Sequence, residues 1–330
     1  MFSFCNSITS SYLCSQNLRK EIMAQNIFRG LGIALVTPFK NDGSVDYEAL
    51  ERVVKYQIES GADFFCILAT TGETPCLTAE EKTNIKDLVV RLVDGKLPIL
   101  MGCGGNNTAA LVEEIRHTDW SGIDGILSVC PYYNKPSQEG LYQHFKKIAE
   151  ASPLPVVLYN VPGRTGINLK SATTIRLAQD CDNIVAIKEA SGSLEQVDEI
   201  IKGKPADFDV LSGDDALTFS MVASGAAGAI SVIGNALPKE VSRMIRYEFR
   251  GEYEPARRIH HRFTELYSLL FVDGNPAGVK ALLSEMGMIE NELRLPLVPT
   301  KVTTKQKMAE SAISYSIQLH IRSSSGGETD

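Results

Sequence analysis

The 330-residue sequence has no apolar run approaching the ~20 residues that a membrane-spanning helix needs. Its first residues also lack the apolar core of a secretory signal, so a soluble protein is expected. Positive charge is in short supply: the formal net charge is -7, with both signs scattered along the chain. No basic stripe exists to track phosphates, which argues against nucleic acid as a partner. The five histidines (His117, His144, His260, His261 and His320) form no HExxH and lie near no cysteine at finger spacing. No zinc site is expected. The seven cysteines include no CxxC pair, and their odd number argues against a complete disulfide framework. They read as small fillers kept reduced, which points to the cytoplasm. The glycines of MGCGGNN (101–107) lack the third glycine of a GxGxxG fingerprint. A tight strand-to-helix turn is the better reading of that stretch.

What the chain does have is a regular beat. Apolar residues make up 44% of it, and short apolar runs alternate with helix-length amphipathic stretches. Strands are expected at 32–36, 64–68, 98–102, 125–129, 155–159, 184–188, 209–213 and 228–232. The runs are continuously apolar rather than alternating, as in parallel strands covered on both faces. Helix starts are marked by Asp46, by Thr78 with Glu81 as a capping box, by Ser137, and by Ser193 with Gln196 in the same pattern. Eight βα units are the count of a TIM (β/α)8 barrel. A doubly wound open sheet uses the same units, but its dinucleotide signature is missing. We expect the barrel over 27–233, a small C-terminal helical region over 234–304, with helices near 237–248, 253–271 and 276–287, and a tail over 305–330. Residues 1–26 form an N-terminal extension. It is Ser-rich with no acidic residue before Glu21, and reads either as a transit peptide or as a leader upstream of Met23.

In a barrel the chemistry sits at the C-terminal ends of the strands. There the sequence places ATTGETP (69–75), CPYYNKPS (130–137), YNVPGRTG (159–166) and SGDD (212–215), while IVAIKEASG (184–192) ends its apolar run on Lys188. Singly these have ordinary explanations: hydroxyl-capped turns, a Pro-bounded loop, a helix cap, a lysine whose ammonium reaches water. Converging on one face, a lysine nucleophile, tyrosine hydroxyls and an arginine make a working set. Burial at the strand end would favour the neutral amine that such a nucleophile requires.

These motifs resemble those of the pyruvate-dependent class I aldolases, which include the dihydrodipicolinate synthases and N-acetylneuraminate lyases. The resemblance runs from about Phe28 to Pro299. Arg164 within YNVPGRTG is similar to the synthase branch, because a guanidinium suits the carboxylate of aspartate semialdehyde. The resemblance implies condensation of pyruvate with L-aspartate 4-semialdehyde to 4-hydroxy-tetrahydrodipicolinate, on the diaminopimelate route to lysine, with no cofactor. The same-chemistry alternative is an aldolase for N-acetylneuraminate or a 2-keto-3-deoxy sugar acid. A barrel that only senses a keto acid is the alternative of another class. By resemblance Lys188 forms the Schiff base, and Tyr159, Thr70 and Tyr133 carry protons, Tyr133 coming from a neighbouring subunit. Thr71 holds the pyruvate carboxylate, Gly213 and Ile230 present backbone carbonyls, and Arg164 binds the aldehyde substrate. A homotetramer built as a dimer of dimers is the implied assembly. Ala69 departs from the family pattern, which has a glycine before TTGE.

Overall fold

The computed structural model describes residues 27–314. The expectations for residues 1–26, and for the tail beyond residue 314, lie outside the described residues. Eight strands close into a parallel barrel in chain order: β1 (Gly30–Ala34), β2 (Phe64–Ile67), β3 (Ile99–Gly102), β4 (Gly125–Val129), β5 (Val156–Asn160), β6 (Ile184–Glu189), β7 (Asp209–Ser212) and β8 (Gly228–Ser231). The first strand starts two residues earlier than its apolar pattern suggests, because closure recruits Gly30 and Gly228 as partners. At that seam a Cβ on Gly228 would lie 2.0 Å from the Gly30 carbonyl oxygen, and φ there is +141°. Only glycine permits both the contact and the conformation.

Helices α1 (Tyr47–Glu59), α2 (Ala79–Val93), α3 (Thr108–His117), α4 (Gln138–Ala151), α5 (Pro162–Thr165), α6 (Ser171–Asp180), α7 (Leu194–Gly203) and α8 (Thr218–Ala223) follow the successive strands. Their starts are largely those marked in the sequence. Asp46 accepts from the Ala49 amide, Thr78 and Glu81 form a complete capping box, and Ser137 accepts from the Gly140 amide. Asn107 caps α3, so the glycine-rich stretch is the turn expected of it. Ser193 caps α7 through the Gln196 amide, but the Gln196 side chain does not reach back. Its amide group is engaged instead by Glu189, Leu169 and Asn168.

Beyond β8 come α9 (Pro238–Phe249), α10 (Tyr253–Arg262), α11 (Thr264–Phe271), α12 (Ala277–Glu285) and α13 (Val302–Ser314). The helix α9, expected to open the appended region, buries Val241, Met244 and Ile245 and packs on β1, so it covers the barrel as the outer helix that follows β8. The single helix expected over 253–271 is broken at Phe263, whose ring is fully buried. Among the described residues no helix is long and apolar enough to cross a membrane.

Replacing Gly228 with alanine should cost about 3 kcal/mol or more, since it adds both a clash with backbone and a disfavoured φ. Chemical denaturation of the variant checks it; a loss within about 1 kcal/mol would show that the seam can part without consequence.

Candidate active site

Strand register sets the centre of the site. Lys188 near the end of β6 pairs with Tyr159 on β5 and Leu211 on β7. The lysine is buried, and its Nζ lies over the Tyr159 ring, 4.4 Å from the centroid. The contact is with the ring face, where the aromatic quadrupole attracts a cation. Among the described residues no hydrogen bond links Tyr159 to Thr70. Gly213, following β7, leaves room for the lysine stem: a Cβ there would stand 3.0 Å from both Cγ and Cε of Lys188. Ile230 follows Ala229, the β8 partner of Ser212, and so lies level with Gly213 on the neighbouring strand. Cys66 on β2 also feels the Lys188 charge. Burial pushes its thiol up to about 11 against that opposing pull, so the thiol stays protonated at neutral pH.

The turn after β2 is built from unusual backbone. Leu68 has φ +50°, Thr70–Gly72 form one turn of 3-10 helix, and Glu73 has φ +52°. Ala69 sits between in extended conformation, where an alanine costs nothing. Its carbonyl accepts from the Gly72 amide and from Thr74 Oγ1. Thr37 Oγ1 donates to the Gly72 carbonyl at 2.8 Å. Thr71 is buried, Thr70 half-buried, and Asn275 Nδ2 donates to Thr71 Oγ1 at 3.0 Å. Non-glycine residues at positive φ carry strain of about 1–3 kcal/mol each and gather at functional sites. Four of the five among the described residues fall on loops at this mouth: Leu68, Glu73, Tyr133 and Lys135.

Tyr133 is not brought to Tyr159 within the chain. It is 89% exposed on the loop after β4, at φ +73°. That loop is nonetheless held, since Asn106 Nδ2 donates to the Tyr132 carbonyl and Asn134 Nδ2 to the Asn106 carbonyl. Arg164 on α5 is exposed, and its Nη2 reaches the Asn275 carbonyl at 3.5 Å. Asn275 therefore touches both the Thr71 hydroxyl and the Arg164 guanidinium. The sequence reading did not name it, although by resemblance it placed the segment FVDGNPAGVK, with Gly274 where the family has a proline, beside the site. Among the described residues, no three His, Cys, Asp or Glu side chains converge as metal ligands would.

A barrel with a buried lysine at the end of β6, beside a tyrosine of β5, can be compared with known proteins. The model of the dihydrodipicolinate synthetase family matches residues 27–314. The chain belongs to that family. It is 61% identical over 286 residues to the 4-hydroxy-tetrahydrodipicolinate synthase of Phocaeicola vulgatus, covering 87% of this chain and 96% of the relative. Identity to the synthase of Parabacteroides distasonis is 58% over 296 residues, 90% of this chain and all of the relative. The crystal structure of the dihydrodipicolinate synthase from Thermotoga maritima superposes with a TM-score of 0.87 at 42% identity, covering 89% of this chain and all of the other.

The residue after the lysine has a separate task in this family member. Alternation along β6 turns Glu189 away from Lys188. Its buried carboxylate accepts from Asn160 Nδ2 (3.0 Å), Gln196 Nε2 (3.0 Å) and the Ser191 amide (2.7 Å). Asn160 Oδ1 in turn accepts from the Leu169 amide at 2.9 Å, and Asn160 Nδ2 also donates to Asn168 Oδ1 at 2.7 Å. One network thus ties together the ends of β5 and β6, which carry Tyr159 and Lys188. Glu189→Gln keeps the shape but turns an acceptor toward two amide donors into a donor. We expect a stability loss of about 2–3 kcal/mol with reduced turnover. Denaturation and steady-state assays check it, and a neutral effect on both would remove this network from the account.

Proposed function

We propose that this chain condenses pyruvate with L-aspartate 4-semialdehyde to give 4-hydroxy-tetrahydrodipicolinate, as a Schiff-base lyase of lysine and diaminopimelate biosynthesis. The observation that carries the reading is the buried Lys188 packed on Tyr159 at the barrel mouth. Its Nζ adds to the ketone carbon of pyruvate, and loss of water gives a protonated imine that serves as an electron sink. Removal of a methyl proton leaves an enamine. Its carbon attacks the aldehyde carbon of the second substrate, forming the new C–C bond. The amino group of that substrate then displaces Lys188 as the ring closes. Tyr159, whose ring lies under the Lys188 amine, moves protons at the imine. Thr71 holds the pyruvate carboxylate by hydroxyl and amide, and the carbonyls of Gly213 and Ile230 face the imine. Thr70, whose hydroxyl is not bonded to Tyr159 in the free chain, links the tyrosines once substrate is bound.

Two further assignments complete the reading. Arg164 binds the semialdehyde carboxylate near the mouth, and its charge favours that substrate over a sugar acid chain. Tyr133, extended into solvent on a held loop, supplies the last hydroxyl of the relay to a neighbouring copy, which implies a homo-oligomer, a dimer of dimers.

Reduction with borohydride in the presence of pyruvate should trap a covalent adduct on Lys188, located by mass spectrometry of a digest. An adduct elsewhere, or none despite turnover, ends the Schiff-base assignment. Arg164→Ala should raise the KM for the semialdehyde by roughly 10- to 100-fold, the loss of one charge-assisted contact, with little change for pyruvate. Steady-state kinetics in which each substrate is varied decide whether Arg164 reads the aldehyde.

A further inference from the structure

The most enclosed ion pair of the described structure lies two residues from Thr71. Lys280 Nζ donates to Glu73 Oε1 at 2.5 Å, and both side chains are fully buried. Lys280 Nζ also donates to the Glu292 carbonyl at 2.9 Å, and the Arg294 amide donates to Glu73 Oε2 at 3.1 Å. The two cations flank one ring: Lys280 Nζ is 4.1 Å and Arg294 Cζ 4.5 Å from the centroid of Phe39. Arg294 is itself fixed by two bonds to the Glu81 carboxylate, at 2.6 and 2.7 Å, and by bonds to the carbonyls of Gly43 and Cys76. Glu73 ends the 3-10 turn that carries Thr70 and Thr71, at a left-handed φ that the turn alone does not favour. The stretch from Asn275 to Lys280 therefore grips that turn twice, through the Thr71 hydroxyl and through the Glu73 carboxylate.

We infer that Glu73 and Lys280 form a positioning pair, which uses the C-terminal region to set the turn presenting Thr71 to the pyruvate carboxylate. The inference rests on the assignment of Thr71 given above. A buried pair of this kind adds little net stability over a well-packed apolar pair, yet breaking one half leaves an uncompensated charge. Its value lies in geometry. The ammonium and carboxylate hold Glu73 in its strained conformation, and the hydroxyl and amide of Thr71 are then aimed by the same turn.

A merely structural pair would alter the amount of folded enzyme and leave the KM for pyruvate unchanged. Glu73→Gln with Lys280→Met removes both charges at once and avoids stranding either. In the folded full-length variant we expect the KM for pyruvate to rise at least tenfold, with kcat within about threefold and the KM for the semialdehyde within about twofold of the parent. Glu73→Asp is the second variant, keeping the charge but withdrawing the carboxylate by one methylene. It should show the same pattern at about threefold, so the question stays answerable where the double variant fails to fold. A pyruvate KM within twofold of the parent in the double variant, or in Glu73→Asp if only that one folds, overturns the inference. Thr71→Val, measured beside them, reports separately on the subsite. A raised pyruvate KM there with unchanged values in the pair variants would sink the positioning role alone, whereas no effect at Thr71 would sink the assignment of the subsite.

Discussion

Closure of the barrel through β1 and β8 is the constraint on which the site depends. A sheet of eight parallel strands closes only if every strand keeps its register, and register decides which face each side chain occupies. The seam is made where Gly30 and Gly228 meet backbone to backbone. With the ring closed, Lys188 lies against Tyr159 on one side and the gap left by Gly213 on the other. A slip of one residue on β6 would exchange Lys188 for Glu189, putting an anion where the nucleophile belongs.

The mouth is then held by polar bonds whose separations along the chain are long. Glu189 joins β5, β6 and the start of α7, while Glu73 joins the turn after β2 to residues more than two hundred positions later. Both carboxylates are buried, and in both each oxygen is met by at least one donor, the condition under which a buried charge is tolerable. Strain at Leu68 and Glu73 is the complement of this order. A turn free to relax would leave that region of φ and ψ, so the surrounding bonds must over-determine it.

The C-terminal helices are accordingly more than an appendage. α9 covers β1 and completes the outer layer. The chain from α11 to residue 294 returns over the mouth, where Asn275, Lys280 and Arg294 engage the turn after β2 and the start of α2.

The strand count, the helix caps at Asp46, Thr78 and Ser137, and the position of Lys188 at the end of an apolar strand were all legible in the amino-acid sequence. Each is a local matter: periodicity and capping depend on residues within a turn or a strand of one another. The TTGE, YNVPGRTG and IKEASG motifs carried the family resemblance in the same way. Tertiary structure alone decided the rest. Gln196 reads as half of a capping box until Glu189 is seen to take its amide, and Glu73 reads as a turn residue until Lys280 arrives from 207 positions away. Asn275 gave no sign of touching both Thr71 and Arg164. A polar group's partner is set by where the closed chain puts a donor or acceptor, and local sequence carries no record of that meeting. Apolar periodicity could be read directly because burial is shared by a whole face, whereas a hydrogen bond belongs to two atoms that only the fold brings together.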